Sequence, residues 1–299
     1  MFDPTWIWIP ATLLAAAAQT ARNAMQRHLT ASLGTVGATH VRFLYGFPFA
    51  LAMLGLACAL AGRLPPTVDG PALAWIAAGA FAQILATAGM LAAMQTQGFA
   101  VSIAFTKTEP VQVAVFAALV LGEPVGMAGS LAILIATAGV LVLSGNPFAG
   151  AGKNWRAAVY GVGAGGFFAL SAVCYRGGIL ELDAPFWLAA LTALAIALGL
   201  QATALSAFLA WHDMAALRRV AAAWRLSLFA GAMGALASAG WFTAFSLASA
   251  ALVRTLGLVE MLYAYFVGRR VFAQRVQMRE AIGLVLIVAG VGLLLALSA

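Results

Sequence analysis

Apolar and polar positions alternate in long blocks along this chain, with apolar runs of about 20 residues separated by short polar or turn-rich breaks. Roughly 20 mainly apolar residues is the length an α-helix needs to cross a bilayer. The breaks contain the Gly, Pro, Asn and Asp residues that end helices. The pattern predicts ten transmembrane helices, near residues 5–24, 38–61, 71–94, 99–121, 126–145, 157–175, 185–210, 226–247, 251–268 and 281–298.

The composition places these helices in lipid. Hydrophobic residues make up 64% of the sequence and charged residues only 8%, whereas a soluble domain carries about 25% charged residues. No soluble fold could hide so much apolar surface, because folding never buries all of it. The 31 glycines and the many alanines allow helix backbones to approach closely, which predicts a tight bundle.

The formal charge of +7 does not indicate nucleic-acid binding, because most of the basic residues lie in short segments between apolar runs. Cys58 and Cys174 lie within apolar runs, where we expect them to pack rather than form a disulfide. The first residues, MFDPTWIW, lack the basic region of a cleavable signal peptide. The first apolar run is therefore expected to remain as a helix.

The two halves of the sequence resemble each other when one is shifted by 151 residues. Glu109 then aligns with Glu260, a match that carries weight because acids are rare in this chain. Two further matches carry less weight, because Ala and Gly are common in this chain. They are Ala88-Gly89 with Ala239-Gly240 and Gly139-Val140 with Gly290-Val291. Five helices per half would make the halves, residues 1–148 and 149–299, an inverted repeat of the kind secondary transporters use. The alternative is chance similarity between apolar helices.

The first helix carries a polar stripe. Gln19, Arg22, Asn23 and Gln26 are spaced i, i+3, i+4 and i+7, which puts them on one helix face. An unpaired Arg at the membrane centre costs about 2.5–3.5 kcal/mol on insertion scales, so the stripe should face a cavity or protein. Alternatively, Arg22 and Gln26 lie near the helix end and reach the headgroups.

Other helices carry polar and aromatic residues at helical spacing. They are Gln83, Thr87, Met90 and Met94 in the third helix, Ser171 and Tyr175 in the sixth, and Ser238, Trp241 and Phe245 in the eighth. Such residues would make an adaptable, amphipathic lining for a substrate site. The competing interpretation is ordinary packing between helices.

The fourth helix contains FTKTEPVQ within a strongly apolar region. Pro110 lacks a backbone N–H and crowds the carbonyl of Thr106, which predicts a break that frees this carbonyl for a ligand or water. Lys107 and Glu109 lie about 200° apart on an ideal helix, so they need not pair with each other.

These charges need partners elsewhere in the bundle. The candidates for Glu109 are Arg22 and Arg254, and the candidate for Lys107 is Glu260. A buried ion pair is a poor stabiliser compared with apolar packing, so a role in transport is one hypothesis and helix packing is the other.

Two segments resemble a known family. They are AFTKTEPVQVAVFAALVLGEPVGMAGSLAILIATAGVLVL and LVRTLGLVEMLYAYFVGRRVFAQRVQMREAIGLVLIVAGVGLLL. Each reads as an apolar helix, a turn and a Gly-punctuated helix, and together they resemble EamA-type members of the drug/metabolite transporter (DMT) superfamily, which include YddG-type amino-acid exporters. The first turn has the family's Gly122-Glu123, whereas the second has Ala273-Gln274 and departs from the pattern.

The resemblance implies an all-α integral membrane protein of ten transmembrane helices, arranged as a 5+5 inverted repeat. It also implies a central substrate cavity formed largely by the first, third and fourth helices of each half. We therefore expect a multi-pass inner-membrane secondary transporter, working as a monomer, that exports small amphipathic metabolites. Amino acids, including aromatic and other apolar ones, are the main candidates.

Two other functions stay open: a multidrug or cationic-compound exporter, and a membrane enzyme acting on a lipid. The sequence contains no phosphate-binding loop, no metal-ligand spacing among its histidines and no nucleophile with its base. We therefore expect a protein that is not an enzyme and uses no cofactor. Its expected partners are a small-molecule substrate and the lipid bilayer.

Basic residues concentrate in the odd-numbered connections between the predicted helices. Short loops rich in Lys and Arg stay in the cytoplasm, which predicts that both termini lie outside. Many members of the resembled family are instead drawn with cytoplasmic termini. The residues counted are Arg27, Lys153, Arg156, Arg218, Arg219, Arg225, Arg269, Arg270, Arg275 and Arg279.

Overall fold

The computed structural model of the 299-residue chain describes residues 4–97, 105–143, 155–263, 265 and 278–298. Within these ranges the chain forms helices joined by turns, with no strand. A 3₁₀ turn, Pro4–Ile7, leads into the first helix. The helices are α1 (Trp8–Leu44), α2 (Phe47–Ala61), α3 (Gly70–Gln97), α4 (Glu109–Val120), α5 (Met127–Leu143), α6 (Trp155–Leu180), α7 (Phe186–His212), α8 (Met214–Ala222), α9 (Trp224–Leu247), α10 (Ala250–Leu256) and α11 (Met278–Ser298).

Helix α1 turns at Gly34, whose φ of 70° and ψ of 176° are outside the helical range. Glycine populates this positive φ without the steric penalty of a side chain, so α1 consists of two helical arms. The predicted break over 25–37 is wrong, because 25–33 continue the first arm. The polar side chains of this stretch suggested a loop, but the backbone groups inside a helix bond to one another whatever the side chains are.

Six helical stretches of the described chain are long and apolar enough to cross a membrane. The longest, Thr5–Ala61, has 57 residues, far more than the roughly 20 that one crossing needs, and it is interrupted by the turn at Gly34 and a second turn at 45–46. Two shorter apolar helices, α4 and α5, have 12 and 17 residues. The protein is therefore an all-α membrane-embedded chain. Each of the ten predicted spans overlaps a described helix, although 99–104 of the fourth, 144–145 of the fifth, and 264 and 266–268 of the ninth lie outside the described residues.

The connection after α7 contains a short helix, α8, that the apolar pattern does not predict. The carboxylate of Asp213 caps its start by accepting a 2.8 Å hydrogen bond from the amide of Ala216. The Tyr45 hydroxyl donates a 3.1 Å hydrogen bond to the carbonyl of Val220, which ties α8 to the end of α1. Arg219, on the exposed face, lies 3.6 Å from the carboxylate of Asp213.

Three helix pairs have the most extensive packing: α3 with α6, α1 with α9, and α5 with α11. In the last pair, a Cβ added at Gly139 would lie 2.7 Å from the amide nitrogen of Ile287. A Cβ added at Gly290 would lie 2.6 Å from the amide nitrogen of Ala136. Both distances are too short for a larger residue, so glycine sets how closely these backbones approach, as the composition predicts.

Candidate functional site

A break in the fourth predicted span precedes an acidic residue. The chain is helical at 105–106, turns at 107–108, and resumes as α4 at Glu109 with Pro110 in its first turn. Pro110 has no amide N–H to bond the carbonyl of Thr106, and its ring crowds that carbonyl, which explains the break. The Thr106 carbonyl faces α6, where a Cβ added at Gly165 would lie only 2.9 Å from its oxygen.

A second break lies in the ninth predicted span. Helix α10 ends at Leu256, a 3₁₀ turn covers Gly257–Val259, and the helix resumes at Glu260. Glu109 and Glu260 therefore both begin a helical segment. The backbone amides at a helix N-terminus favour negative charge, which suits the carboxylate of Glu109 at the start of α4. The amide of Glu260 instead bonds the carbonyl of Gly257.

Two buried ion pairs join these breaks. Lys107 Nζ lies 2.9 Å from Glu260 Oε2, and Arg254 Nε lies 3.0 Å from Glu109 Oε1. In each pair one residue comes from the first half of the sequence and the other from the second. The partners predicted from the sequence, Glu260 for Lys107 and Arg254 as one of two candidates for Glu109, are confirmed. Both pairs are almost completely removed from solvent.

Gln19 and two aromatic side chains hold these charges in place. Gln19 Nε2 donates a 2.6 Å hydrogen bond to Glu260 Oε2, while its carbonyl oxygen accepts a 3.0 Å bond from Trp241 Nε1. The Arg254 guanidinium lies 4.5 Å from the ring centre of Trp241 and 5.2 Å from that of Phe245. These cation–π contacts orient the guanidinium toward Glu109 without adding another charge.

A small cavity lies among these groups, with a volume of about 20 Å³. That is room for about one water molecule and far too little for an amino acid. Eight of the ten lining residues are predicted site residues, Thr106 was expected to contribute its carbonyl, and Phe168 was not singled out. The lining consists of Gln19, Arg22, Asn23, Met90, Thr106, Lys107, Glu109, Phe168, Arg254 and Glu260.

Arg22 is 1% exposed and projects into this cavity, so it does not reach toward headgroups. Its Nη2 donates a 2.7 Å hydrogen bond to Asn23 Oδ1, while Nε and Nη1 have no hydrogen-bond partner among the described residues. Gln26 is also buried and donates a 2.9 Å bond to the carbonyl of Ala38 in the second arm of α1. The headgroup interpretation is wrong for both residues, because the first arm extends well beyond them.

A second polar network lies beside the cavity. Arg42 Nη1 donates a 3.0 Å hydrogen bond to the Thr87 hydroxyl, which donates in turn to the carbonyl of Gln83. The Tyr175 hydroxyl and the Gln201 amide both donate to Gln83 Oε1, at 3.3 and 3.0 Å. Arg42 and Gln201 were not predicted from the sequence. Each is a polar side chain within an apolar run, and this feature could have identified both.

Nine of the predicted site residues line no part of the cavity. Five of these belong to the contacts already described: Gln83, Thr87 and Tyr175 in the second polar network, and Trp241 and Phe245 against Arg254. The other four lie elsewhere. Pro110, Ser171 and Ser238 are buried between helices, and Met94 borders a separate groove that also contains Arg27. These four occupy packing positions. Within the described ranges, no group of three or more His, Cys, Asp or Glu residues could hold a metal ion.

Arg176, near the end of α6, forms a clamp distant from the cavity. Its Nε donates to both carboxylate oxygens of Glu123 at 2.8 and 2.9 Å, and its Nη1 donates to the carbonyls of Phe245 and Ala248 at 2.5 and 2.8 Å. We call these four residues the Arg176 clamp. It joins α6 to the α4–α5 connection and to the turn between α9 and α10. The sequence reasoning placed Arg176 in a connection and missed this role.

No model of a known protein family and no curated protein matches the sequence. The fold does have a counterpart, because the chain is similar to a solved crystal structure of a protein. The TM-score is 0.70 at 17% identity, over 98% of this chain and 98% of that one. At this identity the likeness establishes a common fold along almost the whole length, and nothing about substrate.

Proposed function

We propose that this protein is a secondary transporter of the EamA type that exports small amphipathic metabolites, mainly amino acids. The observation that carries the proposal is a closed, charged cavity inside a membrane-embedded helix bundle. Two acid–base pairs join the two halves of the sequence there. Ionisable groups are expensive inside a membrane and typically mark a substrate or ion pathway. Two interrupted helices that meet at such a cavity are typical of transporter binding sites.

An inverted repeat of residues 1–148 and 149–299 is part of this proposal. The acids that align at a shift of 151 residues, Glu109 and Glu260, both start a helical segment after a break. The aligned glycines, Gly139 and Gly290, make reciprocal close contacts between α5 and α11. The third and sixth spans pack together, as do the first and eighth, which is the pairing that a two-fold relation between the halves requires.

The ion pairs suggest how a substrate would enter and leave. An amino acid carries an ammonium group and a carboxylate, so it can replace one residue in each of the two pairs. Its ammonium takes the place of Lys107 beside Glu260, and its carboxylate takes the place of Glu109 beside Arg254. The cavity must expand for this exchange, because it now holds about 20 Å³. Separation of the pairs, as one half rocks against the other, would provide the space.

Trp241 and Phe245 would give this site its apolar surface. Their rings already lie against the Arg254 guanidinium, and Met90 and Phe168 line the cavity directly. Such a lining accommodates amino-acid side chains by contact rather than by directed hydrogen bonds. Export of cationic compounds is the second candidate, because two carboxylates and two aromatic rings next to a cavity also suit a positive charge.

Transport by the purified protein in liposomes tests the proposal. Each labelled amino acid is added outside vesicles that contain a high concentration of the unlabelled form, and protein-free vesicles serve as the control. We expect at least one amino acid to accumulate by exchange. If none accumulates and a fluorescent quaternary amine does, the cationic-compound function replaces the proposed one.

We also predict that both termini lie outside the cell membrane. The exposed Arg218 and Arg219 lie between α7 and α9, the exposed Arg225 lies in the first turn of α9, and short basic connections remain in the cytoplasm. Alkaline phosphatase fused after Ala299 should therefore be active, and a fluorescent protein that folds only in the cytoplasm should be dark there. With the same reporters fused after Ala222, alkaline phosphatase should be inactive and the fluorescent protein should be bright. Cytoplasmic signals at Ala299 would contradict the charge argument.

A further inference from the structure

The interior of the bundle contains more positive than negative charge. Among the residues whose burial the structure describes, the buried cations are Arg22, Arg42, Lys107 and Arg254, and the buried acids are Glu109 and Glu260. Lys107 and Arg254 have carboxylate partners. Arg22 and Arg42 have none, and arginine remains protonated in proteins. Two positive charges are therefore left without a buried counter-charge.

The rest of the chain offers no acid to balance them. The sequence contains nine acidic residues, seven of them besides Glu109 and Glu260. Asp3 lies outside the described residues, and the other six are exposed or half-buried. These six are Asp69, Glu123, Glu181, Asp183, Asp213 and Glu280. The half-buried Glu123 already belongs to the Arg176 clamp.

Arg22 and Arg42 extend side by side along α9. A Cβ added at Gly234 would lie 3.3 Å from Cδ of Arg22 and 3.4 Å from Cγ of Arg42, so the lack of a side chain there gives both stems room. Arg22 is 1% exposed and Arg42 2% exposed.

Several of their N–H groups have nothing to bind. Nε and Nη1 of Arg22 and Nε of Arg42 have no hydrogen-bond partner among the described residues. The contacts that do exist, to Asn23 and Thr87, are with neutral groups. A buried charged donor that lacks a partner is strongly unfavourable, and two adjacent guanidinium groups also repel each other. An anion within their reach would remove both penalties, since guanidinium groups bind carboxylates with two parallel hydrogen bonds.

We infer that Arg22 and Arg42 bind a second acidic group of the substrate. The transporter then takes substrates of net negative charge, namely dicarboxylic amino acids and related organic diacids. This inference rests on the proposed transport function and narrows its substrate. The ammonium and carboxylate of a neutral amino acid can replace one charge of each sign in the ion pairs, which leaves the excess unchanged. A second carboxylate is the feature that neutralises part of it, and Arg22 already lines the cavity where the substrate would sit.

Glutamate and glutamine provide a matched pair of probes, because they are nearly equal in size and differ by one charge. Exchange into liposomes is measured for both, and the unfolding temperature of the detergent-solubilised protein is measured with glutamate, glutamine or glutarate. We expect glutamate to exchange at least tenfold faster than glutamine. We also expect glutamate and glutarate, but not glutamine, to raise the unfolding temperature.

Variants test whether the arginines cause this preference. Arg22→Gln should bring glutamate down to the glutamine rate, and Arg42→Gln should reduce the preference as well. Arg63→Gln, at an exposed position, is the control and should keep the wild-type preference. If Arg22→Gln does not fold, Arg42→Gln and the wild-type comparison of the two probes still decide the matter.

The possible outcomes separate the two proposals. Equal transport or equal stabilisation by glutamine and glutamate would overturn the acidic-substrate inference and leave amino-acid transport intact. Stabilisation by glutarate and glutamate with no transport of any amino acid would support the anion site and overturn the transport function. No transport and no stabilisation would overturn both.

Discussion

Replacing Lys107 with Met is expected to abolish transport and to destabilise the protein. The Glu260 carboxylate, 2.9 Å from Lys107 Nζ, would be left buried with Gln19 as its remaining polar contact. Removing one member of a buried ion pair costs about 3–5 kcal/mol, because the other charge loses its direct partner. Glu109→Gln should have a similar effect through Arg254. Unfolding in detergent and exchange into liposomes measure the two losses.

A double variant separates packing from transport. Lys107→Met with Glu260→Gln removes both charges and keeps side chains of similar size, so most of the lost stability should return. If the pair participates in substrate exchange, transport should remain at least a hundredfold below wild type. A double variant that transports normally would show that the pair only holds the helices together. The analogous pair of changes at Glu109 and Arg254 provides an independent repeat of the test.

Arg176→Gln is expected to open one end of the bundle. Arg176 donates four hydrogen bonds within the clamp, and both it and Glu123 have little solvent exposure. Charge-assisted bonds of this kind contribute about 1.5–3 kcal/mol each when buried. If their combined loss shifts the equilibrium between closed and open forms by about 2 kcal/mol, the open population rises roughly 30-fold.

A cysteine at position 172 reports this opening. Phe168, Ala172 and Arg176 lie on one face of α6 at four-residue spacing, so Ala172 lies between the clamp and the cavity-lining Phe168. Ala172 is fully buried, so Ala172→Cys should react slowly with a water-soluble maleimide while the clamp is closed. The native Cys58 and Cys174 are replaced beforehand.

The expected result is a labelling rate at least tenfold faster with Arg176→Gln. Glu123→Gln should give a smaller increase, because the bonds from Arg176 to the two carbonyls remain. Arg63→Gln should leave the rate unchanged. An unchanged rate with Arg176→Gln would mean that the clamp is a fixed structural contact and does not control access.

The sequence predicts the helices well where hydrophobicity alone decides their existence. It fails at the first connection, where a single residue, Gly34, turns the chain and the polar stretch 25–33 remains helical. Backbone geometry at one glycine leaves no trace in hydrophobicity averaged along a span. The short helix α8 was missed for a related reason, because nine residues with two arginines read as a loop when only long apolar runs are sought.

The sequence predicts which charged residues pair in the site, but it does not predict the shape of the cavity. A lysine or glutamate within an apolar region needs a partner, and so few acids exist that Glu260 could be matched with Lys107 from the sequence. The same reasoning applied to Arg42 would have identified it. The volume of the cavity and the direction of the Arg176 side chain depend on how whole helices pack, which no local pattern records.

Pairing between the two halves also sets an order of assembly during synthesis. Glu260 is synthesised about 150 residues after its partner Lys107. At roughly 5–20 residues per second, the delay between the two is on the order of ten to thirty seconds. Arg22 and Arg42 enter the membrane earlier still, in the two arms on either side of Gly34. Because an unpaired charge is costly in lipid, the first helices cannot adopt their final positions when they leave the ribosome. Only after the ninth predicted span, which carries Arg254 and Glu260, has been made can the two ion pairs form.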